Sequence, residues 1–330
     1  MVTTGASLSR QRAADSPNAT LCPLCRQPQE RVVIRENGYQ GVKCAVCEVI
    51  YICPRPPRTV VAAYYHGAGD CPPAAVAKPS GLFTWWVRSL PARQTLALLK
   101  PYCTAGTLLE IGPGRGDFLL AAQKAGFMVA GLEINPERAR FIREELGLPC
   151  TSTPLADMPW PGRRFEVIYH RDVLSHFYDP VAELQLMHDV LQENGLLVFE
   201  TGNLGEIQER YLSLVPTFNY PEHLYFFGEK SLRRLLAATG FQLLAFWRYD
   251  LEVYFRLERW VKAIRRHRTA AAGALAEAVG KAGAKRQSGA RKLLWLGYEF
   301  IAEYLLKYQL GRWSPRRGRP QTLIVVARRI

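Results

Sequence analysis

Between residues 106 and 250, short apolar runs alternate with amphipathic stretches, a pattern that predicts strands alternating with helices. Thr107-Leu108-Leu109-Glu110-Ile111 is a buried-strand run stopped by glycine. Asp117 to Lys124 reads as helix and Phe127 to Glu133 as a second strand. Asn135-Pro136-Glu137 opens a helix, with Asn as N-cap and Pro at the first helical position. Cys150 to Thr153 is a weak third strand, Phe165 to Tyr169 a fourth, Pro180 to Leu191 a helix, and Leu196 to Glu200 a fifth strand. Ser231 to Ala238 is helical and leads past Gly240 into a strand from Phe241 to Arg248, and the last strand is Thr322 to Ala327. The expected fold class is α/β: a doubly wound, seven-stranded, mostly parallel sheet covered on both faces.

The flanks read differently. Residues 1–20 are polar and aperiodic, and disorder is expected there. Residues 21–57 form a small cysteine-bearing module ending in Cys53-Pro54-Arg55-Pro56-Pro57, which a helix will not cross. Residues 58–104 read as a helical connector, and 105–250 with 319–330 as the main domain. The insertion 251–318 begins with a helix that carries Leu257, Trp260, Val261 and Ile264 on one face and Arg256, Arg259, Lys262, Arg265 and Arg266 on the rest. Ala270 to Ala284 is low-complexity and reads as a mobile link. In Leu293 to Leu310, the charges Glu299, Glu303 and Lys307 at i, i+4 and i+8 make one polar stripe, with Glu303 and Lys307 spaced to pair. Three charges near its centre make it a poor membrane span, so an amphipathic helix is expected.

A hydrophobic fraction of 48% over 330 residues supports a real core. The net charge of +14 is localised, because Phe255 to Ile330 holds 18 Lys and Arg against 4 Asp and Glu. That excess is either plain composition or a surface for a polyanion or anionic lipid. The first twenty residues lack a long apolar run, and eight cysteines are too sparse for a disulfide scaffold. A cytoplasmic setting is expected, with peripheral contact at an inner membrane surface open.

The richest stretch is Glu110-Ile111-Gly112-Pro113-Gly114-Arg115-Gly116-Asp117, where a strand turns into a helix. Glycines there let a ligand approach bare backbone. A dinucleotide fingerprint would need glycine at 117, which is Asp117, so the loop argues against a pyrophosphate site. Glu133, 21 residues past Gly112, ends the second strand, where a carboxylate can accept both hydroxyls of a ribose.

With Gly131-Leu132-Glu133, Phe165-Glu166-Val167-Ile168, Val173 to Pro180 and Leu191 to Leu197, this order resembles the class I S-adenosylmethionine-dependent methyltransferases over about 105–250 plus the last strand. The resemblance implies that Glu110, Gly112, Gly114 and Gly116 surround the methionine part of the cofactor and that Glu133 holds the ribose. The acid that such proteins often carry near the end of strand three has its counterpart in Asp157, two or three residues late. Backbone around Leu155 is the other expected adenine contact.

Cys22-x-x-Cys25 and Cys44-x-x-Cys47 stand 18 residues apart, a spacing that can close a tetrahedral thiolate site for structural zinc. They resemble a zinc ribbon, although Arg26 and Glu48 stand where ribbons often have Gly. Cys53 is a spare thiol that could compete as ligand, and Cys71, Cys103 and Cys150 are expected packing residues.

Polar groups after strands four and five should face the chemistry: Tyr169, His170, Arg171 and His176, then Glu200 to Asn203. Tyr220, Glu222 and His223 form a dense acid/base cluster in a loop, and with His176 they resemble the acid/base set of zinc-containing deoxysugar C-methyltransferases. The favoured reading is methyl transfer to a small or lipid-linked acceptor such as a sugar or natural-product-like molecule. His223, with Glu222 or Tyr220, would be the base, His176 would orient the acceptor, and 251–318 would lid the pocket and touch an anionic membrane. The alternatives are an RNA methyltransferase using the Arg312 to Arg319 stretch and a non-catalytic cofactor-binding module.

Overall fold

Two sheets carry the chain, and the smaller comes first. Strands β1 (Arg31–Glu36), β2 (Tyr39–Lys43) and β3 (Ile50–Ile52) form an antiparallel meander next to the paired cysteines. The computed structural model describes residues 21–27, 31–61, 82–160, 162–264, 289–313 and 315–330. The segments 1–20 and 270–284, together with Cys71, Arg265 and Arg266, lie outside the described residues.

The larger sheet takes β4 (Gly106–Ile111), β5 (Phe127–Leu132), β6 (Cys150–Thr151), β7 (Phe165–Arg171) and β8 (Leu191–Gly202), then β10 (Phe241–Asp250) and β11 (Gln321–Arg329). Its order is β10-β11-β8-β7-β4-β5-β6. The strands from β4 to β8 pair in parallel, and β11 runs antiparallel between β8 and β10. This is the expected seven-stranded, mostly parallel sheet. Leu323 to Ala327 is fully buried, as a strand covered on both faces must be. Helix α1 is Leu82–Leu99, and α2 (Asp117–Lys124), α3 (Pro136–Glu145), α4 (Pro180–Val190) and α5 (Glu229–Ala238) follow their strands. Asn135 caps α3 as expected, its side chain accepting from the N–H groups of Glu137 and Arg138 at 3.0 and 3.1 Å.

Two elements depart from expectation. β8 starts five residues early, because Leu191 pairs with Phe165 before a bulge at the exposed Glu193-Asn194 turn restores the register at Leu196. β9 (Tyr225–Phe226) pairs antiparallel with β3 and so gives the small sheet its fourth strand. The cysteine-bearing segment and the loop before α5 therefore share one ladder. Only two residues long, β9 has no readable period.

Within the insertion, residues 252–264 form α6, Gly289–Glu299 form α7, and a π-helical stretch, Phe300–Leu310, continues it. No helix among the described residues is long and apolar enough to cross a membrane. The polar stripe does not pair with itself. Lys307 Nζ reaches Glu200 Oε1 at 2.6 Å, Glu303 reaches Arg171 at 3.4 Å and accepts from Tyr254 Oη at 2.8 Å, and Glu299 lies 3.5 Å from Arg115. All three point inward because strand-end charges await them there. The apolar face assigned to α6 is likewise divided: Trp260 and Ile264 are exposed, while Val261 lines a cavity.

Glu200 is fully buried, accepts from Tyr308 Oη at 2.7 Å, and lies 3.6 Å from Arg171. Burial alone would raise its pKa, but Lys307 and Arg171 outweigh that and hold it at about 2. A carboxylate depressed in the fold contributes stability above its unfolded value, and that stability is lost as pH falls toward about 2. Lys307→Met should therefore cost about 3–5 kcal/mol in urea denaturation at neutral pH, because the buried carboxylate loses its nearest cation. Its acid unfolding limb should also move to higher pH than in the wild type.

Candidate active site

A cavity of about 530 Å³ opens at the carboxyl ends of β4 and β7. α1 forms one wall, through Val87 and Arg88, and the insertion forms another, through Tyr254, Trp295, Tyr298 and Tyr304. Strand alternation decides which strand-four residues take part. Tyr169 and Arg171 line the cavity, and the Tyr169 ring stacks on Phe118 at 3.7 Å. His170 points the other way, buried against Phe199 at 5.1 Å with neither ring nitrogen partnered. Its expected place in the site is corrected accordingly. Of the strand-five group, Glu200 sits in the ion network and Asn203 bonds to Gln321.

The glycine loop is more selective than its three glycines suggest. Gly112, Gly114 and Gly116 have φ of 71°, 57° and 76°, the left-handed region that disfavours side chains. A Cβ at Gly112 would lie 2.7 Å from Val173, and one at Gly116 would lie 2.7 Å from Leu146. At Gly114 there is nothing within 4 Å. The room expected at all three positions exists at Gly114 alone, whereas the outer two are glycine for turning and packing.

Glu110 ends its strand buried, with Oε2 bonded to nothing. Burial drives its pKa well above the carboxylate range, helped by the negative charges of Asp117 and Glu133. An unmatched acidic oxygen between two further carboxylates fits a cationic group, and the free space at Gly114 fits a ligand lying against bare backbone. Glu133 is buried at the end of the neighbouring strand, with Oε2 accepting from the Gly114 N–H at 2.8 Å and Oε1 from the Asn135 N–H at 3.0 Å. Each oxygen keeps a second lone pair for a hydroxyl. Leu155 is buried and Asp157 exposed in a single 3₁₀ turn, and neither lines the cavity.

The acid/base cluster is brought together only in part. His176 and His223 face each other edge to face at 4.6 Å, and His176 Nδ1 lies 3.8 Å from Glu222 Oε1. Asp172, which lines the cavity, acts on His176 through its charge and its backbone. Among these residues Asp172 lines the cavity, whereas His176, Tyr220, Glu222 and His223 do not. Burial, and then the neighbouring His176, lower His223 to about 3, so its imidazole is neutral at pH 7. The Tyr220 ring packs on Phe226, as does that of His223, and its hydroxyl is buried toward Gly41 of β2.

All four cysteines of the two pairs are buried, and their sulfurs lie within 4.8 Å of one another. The Cys22–Cys47 and Cys25–Cys44 sulfurs are 3.6 and 3.5 Å apart. That is far beyond a disulfide and near the roughly 3.8 Å expected across a tetrahedral zinc–thiolate centre. Arg26 and Glu48 adopt φ of 60° and 64°, the conformation for which ribbons use glycine. Cys53 lies outside the tetrad, Cys150 is buried, and Cys103 donates to the Ala105 carbonyl.

Residues 85–245 match the family model described as a methyltransferase domain. The chain carries a methyltransferase domain. Among curated relatives, it is 33% identical over 101 residues to a ubiquinone biosynthesis O-methyltransferase of Cereibacter sphaeroides, covering 29% of this chain and 41% of that one. It is 28% identical over 155 residues to a protein of Mycobacterium tuberculosis named a "probable S-adenosylmethionine-dependent methyltransferase", covering 42% of this chain and 55% of that one. The chain thus spans about half the length of the curated relatives it matches. Among solved structures, the cyclopropane synthase MmaA2 of Mycobacterium tuberculosis superposes with a TM-score of 0.49 at 14% identity, covering 83% of this chain and 99% of that one.

The methyltransferase loop makes a paired prediction. Gly116→Val should lower the melting temperature, because Leu146 and Ile142 occupy the space its side chain needs. Gly114→Ala, which meets no neighbouring atom and carries only the backbone strain of φ 57°, should lose less stability than Gly116→Val and still give no heat on titration with S-adenosylhomocysteine, while Gly114→Val should share that binding loss at a larger cost in stability. Normal binding by Gly114→Val would remove that cradle.

Proposed function

We propose that the protein transfers the methyl group of S-adenosylmethionine to a small or lipid-linked acceptor bearing a ring, such as a sugar or natural-product-like molecule. The observation that carries this reading is the buried, unpartnered Glu110 oxygen at the end of β4, in a cavity also lined by Gly112 and Pro113 of the glycine loop. S-adenosylmethionine supplies an activated methyl on a sulfonium centre, together with a cationic ammonium. Glu110 would hold the ammonium, with the turn of Gly112, Gly114 and Gly116 against the methionine part. Glu133 would take the ribose hydroxyls, and the Leu155 to Asp157 turn would flank the adenine.

The acceptor side is framed by Tyr254, Trp295, Tyr298 and Tyr304, an aromatic wall suited to stacking on a ring. His223 would remove the acceptor proton at Nδ1, which is buried and lacks a partner, while His176 and Glu222 orient the acceptor. Tyr220, from its place in the structure, would support the loop rather than act as base. One structural zinc held by Cys22, Cys25, Cys44 and Cys47 would serve folding, since four thiolates leave no open position.

Charge argues against a nucleic-acid acceptor. Glu110, Asp117, Asp172, Glu258, Glu299 and Glu303 line the cavity against only Arg88, Arg115, Arg171 and Lys262. The basic excess lies on the insertion, which also exposes Leu294, Trp260 and Trp313 and carries Phe300 in a stack with Trp86 and Phe83. Exposed aromatics beside cations suit an anionic bilayer. The relative named for ubiquinone biosynthesis supports a lipid-like acceptor of that kind.

Mass spectrometry of cell extracts incubated with methyl-labelled cofactor, scanning metabolites and RNA, should find the label on a metabolite. Label on RNA alone would overturn the acceptor class. On the acceptor so found, His223→Ala should lower turnover by about 10²–10⁴-fold while sparing cofactor affinity. In low-salt co-sedimentation the protein should pellet with anionic vesicles and not with neutral ones, and the absence of binding to either would remove the membrane contact.

A further inference from the structure

Where the insertion meets the end of β7, the cavity wall holds more negative charge than the cations beside it cancel. Arg171 Nη2 lies 3.4 Å from Glu303, and its Nε lies 3.6 Å from both Glu200 and Asp172. Lys307 Nζ lies 2.6 Å from Glu200. In this network two cations serve three carboxylates. Glu200 is fully buried and holds the contact with Lys307, so the excess falls on the other two. Both of those line the cavity. Asp172 is the more open of the pair, its side chain 56% exposed against 33% for Glu303.

The backbone places Asp172 there. It follows directly on β7, and its N–H donates to the Glu200 carbonyl at 2.9 Å. Its φ of 54° lies in the left-handed region, which Asp and Asn visit more readily than other side chains. Aromatic rings frame the same wall. Tyr254 donates to Glu303 Oε1 at 2.8 Å and lines the cavity, as does Tyr304, the residue after Glu303. Trp295 and Tyr298, on α7, line it with ring centroids 5.4 Å apart. Ring faces attract cations, most strongly where water is excluded. The carboxylate excess and the aromatic wall therefore favour one kind of guest. A neutral guest would cover the excess charge without cancelling it, and an anion would be repelled. The cofactor's own positive charge has a separate partner in Glu110, 3% exposed at the end of β4 with Oε2 unmatched.

We propose that the acceptor carries a basic nitrogen, held in its ammonium form between Asp172 and the aromatic rings of the insertion, so that Asp172 sets acceptor specificity. The substrate class narrows from ring-bearing molecules in general to ring-bearing amines. This deepens the function proposed above and rests on its assignment of the cavity to cofactor and acceptor together.

The test needs no knowledge of the acceptor. 2-Phenylethylamine, a ring with an ammonium group at pH 7, is compared with 2-phenylethanol and phenylacetate. Each is titrated by calorimetry into full-length, zinc-loaded protein with and without S-adenosylhomocysteine. The amine should bind the S-adenosylhomocysteine complex at least about tenfold more tightly than the alcohol or the carboxylate. Asp172→Asn, which keeps the size and the tolerance of positive φ, should weaken amine binding by about tenfold or more and leave S-adenosylhomocysteine affinity within about twofold. Trp295→Leu should weaken amine binding by about fivefold. Glu144→Gln, which removes an exposed acid on α3, should bind the amine as wild type does. Equal binding of the alcohol or the carboxylate would overturn the proposal, as would amine binding unchanged in Asp172→Asn. Displacement of the amine by S-adenosylhomocysteine would overturn it too, because the amine would then occupy the cofactor's place. Failure of the wild type to bind S-adenosylhomocysteine would instead sink the methyl-transfer reading, and titration of the amine into the free protein would still show whether Asp172 holds a cation.

Discussion

A carboxylate removed from water must find a partner or lose its charge, and Glu110 has an oxygen with no partner in its own fold. Its position at the tip of β4, with Asp117 and Glu133 adding negative charge, makes the deficit larger. Folding does not relieve this, so the deficit marks a place where a positive ligand is worth more than in open solvent. The rest of the site is arranged around that point. Gly112 and Pro113 of the glycine loop, Tyr169 and Phe118 line the same cavity, which extends to the insertion.

Two peripheral segments complete the site, and each is fastened by charge rather than by apolar packing alone. The insertion is tied down by Lys307 on Glu200 and by Glu303 on Arg171, both reaching partners at the ends of central strands. The cysteine-bearing sheet is fastened by Glu36 and by the β3–β9 ladder. An ion pair of this kind is directional, and so it sets geometry more tightly than a greasy contact of equal area.

How much of this could be read beforehand depended on whether a signal was local. The strand–glycine–helix order at Glu110 to Asp117 and the Asn135-Pro136 cap are encoded within a few residues, and they appear where expected. The tetrad was legible for the same reason, since two short knuckles at a fixed spacing need little else. The i, i+4, i+8 stripe was visible as a stripe, but periodicity says only that residues share a face and not what that face meets. Arg171 and Glu200 lie far away in sequence, so an inward-facing charged stripe was beyond reach. Tyr220 was grouped with Glu222 and His223 by proximity along the chain, yet its ring turns into the small sheet against Phe226. Gly112 and Gly116 looked equivalent to Gly114, and only the positions of Val173 and Leu146 separate them.

The separation of charge is the last point the structure makes clear. The chain is strongly basic as a whole, and a basic protein invites the idea of an anionic substrate. Yet the cavity lining is acidic on balance, and the cations that do line it are matched: Arg88 and Arg115 on Asp117, Arg171 on Glu303, Lys262 on Glu258. A sulfonium cofactor requires that arrangement, because a cationic interior would repel it. The sequence places the remaining positive charge chiefly in the segment from Phe255 to the C-terminus. A strongly basic chain and an acidic cavity lining are thus compatible in one small protein, provided the wall between them is built from paired charges. The insertion is that wall: its outward face carries the exposed aromatics, and its inward face carries Glu299 and Glu303.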